Sequence, residues 1–225
     1  MRSSGRSPLL LGHRGAPRMA RENTLDSFRK AIQAGLDGVE LDLHRTRDGV
    51  LAIHHDAEIR GIPIPALSWS ELQQKAPWVP RLEAFLELLE EFPQAWANLE
   101  LKTDPHHPDG RETLLAEQIR GKEDRIWVST FDPFALIRLK RAGLSNLAFL
   151  YHQREALELL PCLQVQGVHP PEEELSPEAI QAFHEQGLFV VTWTVNRRER
   201  ARELLSWGVD GIIGDDPEEL LSARG

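Results

Sequence analysis

A single cysteine, Cys162, occurs in the sequence, so no disulfide can close within the chain, in keeping with a reducing, cytoplasmic setting. With no partner it reads as a buried apolar filler. Long hydrophobic runs are also missing. No segment approaches the roughly 18–20 apolar residues of a membrane helix, which excludes integral membrane association. The apolar stretch before Gly12 is too short for the core of a signal peptide, so a soluble intracellular protein is expected. Excess positive charge is absent as well: 35 acidic residues against 26 basic ones give a net charge of −9, spread along the chain. Such a balance gives no electrostatic support for binding nucleic acid or an anionic membrane, and points to a small-molecule substrate.

What the sequence does have is a regular alternation. Short apolar runs recur at Leu9–Leu11, Val39–Leu43, Trp96–Leu101, Ile126–Val128, Leu147–Leu150, Val165–Val168, Phe189–Trp193 and Gly211–Ile213. Between them lie stretches with helical spacing: Thr24–Ala34, Leu82–Glu91, Glu112–Ile119, Pro133–Ala142, Arg154–Leu160, Pro177–Gln186, Arg198–Ser206 and Pro217–Ser222. Thr24, Asp132-Pro133 and Ser176-Pro177 mark helix starts, and Gly35, Gly143, Gly187 and Gly208 mark helix ends. Eight strands alternating with helices predict an α/β fold, the (β/α)8 TIM barrel, as one domain over residues 1–225. An open doubly wound sheet is the alternative, but no GxGxxG follows the first strand.

One departure breaks the repeat. After the second strand come the turn Asp48-Gly49, an apolar run Val50–His54 and a proline-rich stretch over 57–80. This short excursion is expected to lie above the barrel and to be too small to bury a core of its own.

In such a barrel the chemistry sits at the C-terminal ends of the strands. Alternation along the second strand turns Glu40 and Asp42 to one face and Val39, Leu41 and Leu43 to the other, and the same parity turns Asn98, Glu100 and Lys102 inward. Carboxylates buried there must be paired or bind a metal. Glu40, Asp42 and Glu100 offer hard oxygen ligands suited to Mg²⁺ or Ca²⁺, with Mn²⁺ a further candidate. The competing reading is a buried ion network in which Glu40 and Asp42 pair with Arg14 and Lys102. His13 and His55 can act as acid and base, and Arg14 and Lys102 can neutralise a phosphate. His54 alternates with His55, and the neighbouring Asp56 selects His55. His44, His106, His107, His152 and His184 read as structural or surface residues.

The ordered set His13-Arg14-Gly15, Glu22-Asn23-Thr24, Glu40-Leu41-Asp42, Asp48-Gly49, His55-Asp56, Glu100-Leu101-Lys102, Trp193-Thr194-Val195-Asn196, Asp210-Gly211, Asp215 and Pro217 resembles the glycerophosphodiester phosphodiesterase family. The resemblance implies a TIM barrel that hydrolyses glycerophosphodiesters to glycerol 3-phosphate and an alcohol. It implies a divalent ion on Glu40, Asp42 and Glu100, acid–base work by His13 and His55, and phosphate binding by Arg14 and Lys102. Trp193 and Phe131 would contact the substrate, and Glu22, Asn23 and Asp56 would support the site. Attack by the glycerol 2-hydroxyl through a cyclic phosphate and direct attack by water both stay open. Arg21, Gly214 and Thr130 depart from the residues usual in the family at those places without removing a proposed ligand. Two other readings compete: a phospholipase or sphingomyelinase D-like phosphodiesterase, and a non-catalytic barrel that only binds a phosphodiester.

Overall fold

The computed structural model describes residues 7–104 and 106–224, so the charged start of the chain up to Arg6 lies outside the described residues. The elements run β1 (Leu9–Gly12), α1 (Leu25–Gln33), β2 (Gly38–Arg45), β3 (Leu51–Ile53), β4 (Glu58–Ile59), β5 (Ile62–Pro63), α2 (Trp69–Lys75), α3 (Leu82–Glu90) and β6 (Trp96–Leu101). They continue α4 (Arg111–Gln118), β7 (Ile126–Thr130), α5 (Pro133–Arg141), β8 (Leu147–Leu150), α6 (Leu160–Leu163), β9 (Gly167–His169), α7 (Pro177–Glu185), β10 (Phe189–Thr192), α8 (Arg198–Trp207), β11 (Gly211–Gly214) and α9 (Pro217–Ala223).

Local chemistry accounts for these limits. The Thr24, Asp132, Ser176 and Asp216 side chains accept backbone N–H groups in the first turns of α1, α5, α7 and α9. Proline opens the last three of those helices, where its missing donor is harmless. Gly35, Gly143, Gly187 and Gly208 follow helices with φ between 79° and 107°, the left-handed turn that favours glycine.

Eight parallel strands pair in the order β1-β11-β10-β9-β8-β7-β6-β2, and β1 pairs with β2 to close the circle. The open sheet is thereby excluded. Strand parity sorts the core into two layers. Val39, Leu41, Leu43, Leu99 and Val128 join the large outer cluster under the helices, whereas Leu9, Leu11, Trp96, Trp127, Phe189, Val191 and Ile213 fill the barrel interior.

The excursion differs from its expectation. Ile59, Ile64, Leu67, Leu72, Ala76 and Val79 form a small buried cluster with Ala52 of β3, so this segment does bury a core. Helix α2 within it is closed by a capping box between Ser68 and Glu71, a signal present in the sequence. The helical stretch expected over Arg154–Leu160 is instead a 3-10 segment over Arg154–Leu159 followed by the single turn α6. In that turn Leu160 and Leu163 face inward, which leaves Cys162 exposed rather than buried.

At the end of β11 the backbone is too close to its neighbour for a side chain. A Cβ on Gly214 would stand 2.2 Å from the Val195 carbonyl oxygen. Gly214→Ala should therefore destabilise the fold by about 1–3 kcal/mol, the usual range for overpacking, read as a lower denaturant midpoint. An unchanged midpoint would contradict this packing.

Candidate active site

Parity and register together bring the acids to one place. Asp42 and Glu100 are Cα partners on the adjacent strands β2 and β6, and Glu40 lies two residues below Asp42 on the same inward face. Oxygens of Glu40, Asp42 and Glu100 lie within 4.8 Å of one another. Glu40 and Asp42 are buried, at 3% and 1% exposed.

Two cations answer this charge. Lys102 Nζ contacts Asp42 Oδ1 at 2.9 Å and also bonds Glu100, and Arg14 Nε approaches Asp42 Oδ2 at 3.4 Å. Arg14 has a left-handed backbone, φ 53°, and its amide donates to Glu40 Oε2 at 3.0 Å. Its guanidinium donates to Glu22 Oε1 at 2.9 Å. Asn23 donates to Asp42 Oδ2 at 2.7 Å. The ion network anticipated as a competing reading is thus present at Asp42, and extends to Glu100, whereas Glu40 takes the Arg14 backbone amide in place of an ion pair among the described residues.

The three acids are not equivalent. Burial, then repulsion from Asp42 and Glu100, pushes the Glu40 carboxyl well above its ordinary range. Burial also raises Glu100, and repulsion from Asp42 adds to it, against the opposing pull of Lys102. At Asp42 burial acts the same way, but Lys102, the Asn23 bond and Arg14 outweigh it and hold the carboxyl low. Glu40 Oε1 is buried without a protein hydrogen-bond partner. A carboxylate oxygen so placed, beside two more hard oxygen donors, fits a divalent cation.

Both predicted histidines reach the same cavity of about 350 Å³, lined by His13, Arg14, Glu40, His55, Glu100 and Lys102. Phe131, Leu150, His152, Trp193 and Ile213 also line it, and the Phe131, His152 and Trp193 rings contact one another. His54 is not among the lining residues. His13 Nδ1 is 2.7 Å from Asp215 Oδ1, and Asn196 holds Asp215 from both sides, donating to Oδ2 at 2.6 Å and accepting its amide at 2.8 Å. Burial would raise Asp215, yet its bonds to His13 and Asn196 keep it below its usual range. His55 Nδ1 meets Asp56 Oδ1 at 2.9 Å, and that bond holds Asp56 low. Ionised carboxylates only accept, so each Nδ1 carries the shared hydrogen and Nε2 is the nitrogen left for other work. Glu22, Asn23 and Asp56 stand behind Arg14, Asp42 and His55 rather than on the cavity wall.

Some residues of the site lay outside the sequence reading. Asp215 and Asn196 enter the sequence reading only as members of the motif set. His152, which reads from the sequence as structural or surface, joins the cavity wall. Its ring stacks on Phe131, with centroids 4.4 Å apart, and meets Trp193 edge-on. Trp193 is anchored by its indole N–H on the His169 carbonyl at 2.8 Å. His169 itself lies fully buried below, pushed down to about 3 by burial. His44 is also buried, and burial lowers it to about 4.

A parallel barrel with clustered acids and carboxylate-backed imidazoles at its mouth has the build of a phosphodiester hydrolase. The sequence matches the Glycerophosphoryl diester phosphodiesterase family over residues 13–219. It is 30% identical to a glycerophosphodiester phosphodiesterase of Bacillus altitudinis, over 96% of this chain and 97% of that protein. It is 27% identical to one of Caldanaerobacter subterraneus subsp. tengcongensis, over 95% of this chain and 96% of that protein. The crystal structure of glycerophosphodiester phosphodiesterase from Thermotoga maritima superposes with a TM-score of 0.81 at 26% identity, covering 97% of this chain and 99% of that chain. The chain belongs to the glycerophosphoryl diester phosphodiesterase family.

The raised acids have a stability consequence. Without a divalent ion, the folded state holds protons on Glu40 and Glu100 more tightly than the unfolded chain does. Their contribution is therefore fully present below the unfolded carboxylate pKa and is lost as pH rises through the folded values. In chelator at pH 8, Glu40→Gln should raise the thermal midpoint, at about 2–4 °C per kcal/mol recovered, and adding Mg²⁺ or Mn²⁺ should raise the midpoint of the unaltered protein but not that of the variant. A lower midpoint in chelator would contradict the unfavourable burial of this charge.

Proposed function

We propose that this glycerophosphodiester phosphodiesterase hydrolyses small glycerophosphodiesters to glycerol 3-phosphate and an alcohol, in the cytoplasm, with residues 1–225 acting as one catalytic domain and the 57–80 excursion as part of its roof. The observation that supports this best is the meeting of two carboxylate-backed imidazoles and three clustered acids in one cavity.

Glu40, Asp42 and Glu100 would hold the divalent ion, Mg²⁺ or Ca²⁺ with Mn²⁺ as a further candidate. When bound, such an ion supplies Lewis-acid polarisation of a phosphoryl oxygen and makes a nearby hydroxyl more acidic. The remaining work belongs to the chain. Arg14 and Lys102 balance the phosphate charge from the polar side of the cavity. One imidazole accepts a proton from the attacking hydroxyl, and the other, protonated, delivers one to the leaving alkoxide, so the two exchange protonation states across the reaction. Asp215 and Asp56 keep His13 and His55 in the tautomer that presents Nε2. Phe131, His152 and Trp193 offer an aromatic wall for the glycerol or the alcohol.

Glycerophosphocholine, glycerophosphoethanolamine and glycerophosphoglycerol should each release glycerol 3-phosphate in the presence of Mg²⁺, Mn²⁺ or Ca²⁺, and sphingomyelin should not be cleaved. His13→Ala and His55→Ala should each lower kcat by about 10²–10⁴-fold, the usual share of acid–base catalysis, while divalent-ion binding measured by calorimetry is retained. Glu40→Ala should weaken that binding. Full turnover by either histidine variant would remove it from the mechanism, and turnover after exhaustive chelation would remove the ion.

A further inference from the structure

His13 and His55 are held very differently. The partner of His13, Asp215, directly follows β11 and is clamped by Asn196 through two hydrogen bonds. The partner of His55 is its own neighbour Asp56, whose side chain is 74% exposed, and such an exposed pair holds geometry weakly. His55 also lies beyond the sheet. The last Cα partners of β2 and β3 are Leu43 and Ile53, and His55 comes two residues after β3 ends.

Two bonds from β2 continue the hold past that point. The His54 amide donates to the Asp42 carbonyl at 3.0 Å, and His44 Nε2 lies 3.1 Å from the His55 carbonyl oxygen. A carbonyl oxygen only accepts, so His44 Nε2 must carry the hydrogen. His44 is 6% exposed and shares the inward parity of Glu40 and Asp42, on the strand that carries both acids. A buried donor of this kind is shielded from competing water, unlike the exposed Asp56 contact.

We propose that His44 is a positioning residue for His55: its Nε2–H, donated to the His55 carbonyl oxygen, fixes the turn that presents the His55 imidazole to the cavity. This rests on the reading of His55 given above. The bond couples the acid cluster to one imidazole through a single rigid strand, so that displacement of the turn moves a proton-transfer group relative to the bound phosphate.

The test pairs His44→Leu, which removes the donor, with His44→Gln, whose amide can donate from a similar place. His44→Leu should lower kcat by about 10- to 100-fold, the scale of a 1 Å misplacement, with KM changed by no more than about twofold because Arg14 and Lys102 still bind phosphate. His44→Gln should recover kcat to within about threefold of the unaltered enzyme. In a His55→Ala background, His44→Leu should cause no further loss, since its effect acts through a residue already gone. Normal kcat for His44→Leu, a His44→Gln variant as slow as His44→Leu, or an undiminished loss in the His55→Ala background would each overturn the proposal. His55→Ala with full activity would instead overturn the underlying reading of His55. Independently of whether the variants fold, nitrogen NMR of the unaltered protein should show His44 protonated at Nε2, with scalar coupling to the His55 carbonyl carbon. A bare Nε2 would overturn the assignment.

Discussion

The site is organised around the burial of three carboxylates that strand parity leaves no choice but to turn inward. Asp42 and Glu100 sit side by side across a parallel pair, with Glu40 one inward position below. Buried unpaired charge is far too unfavourable to stand alone. Lys102 therefore lies between Asp42 and Glu100, Arg14 turns its amide to Glu40, and Asn23 bonds Asp42. Even so the compensation is uneven. Asp42 is held low by several partners, while Glu40 and Glu100 are held high and Glu40 keeps one oxygen without a protein partner. That residual electrostatic demand is what fits the cluster to a divalent cation.

From this follows the division of the cavity. Its charged side combines acids, cations and imidazoles, whereas Phe131, His152 and Trp193 make an aromatic side. A phosphodiester, with one ionic centre and a carbon skeleton to either side of it, matches such a two-faced pocket. The imidazoles are supported by different strands. Asp215, just past the end of β11, holds His13, and β2 holds the turn of His55 through the His44 side chain. The barrel thus places proton-transfer groups from separate stretches of chain around one point.

Much of this was legible in the sequence because two short-range rules govern it. Period-two alternation gives the inward acids, and strand–helix alternation with capping signals gives the eight-strand closure. What escaped depends on contacts between distant segments. Parity sets His44 on the inward face of β2 with Glu40 and Asp42, but nothing local joins it to His55, 11 positions away. The pairing of His13 with Asp215 spans 202 positions, and sequence places both at strand ends without joining them. His152 escapes for a simpler reason: it lies two residues past the end of β8, where the alternation of the strand no longer dictates a face. The excursion escaped through its size: a handful of apolar residues in a proline-rich stretch do bury one another once Ala52 supplies a floor.

The most direct test of the account is a crystal structure of the protein with Mn²⁺ and glycerol 3-phosphate, located by anomalous scattering. The account predicts one ion bound by oxygens of Glu40, Asp42 and Glu100 at about 2.0–2.6 Å, the range for hard divalent cations, with the phosphate between it and the Arg14 and Lys102 side chains and both His13 and His55 within reach. An ion bound elsewhere, or Lys102 keeping Asp42 and Glu100 with no ion among the acids at saturating Mn²⁺, would contradict it.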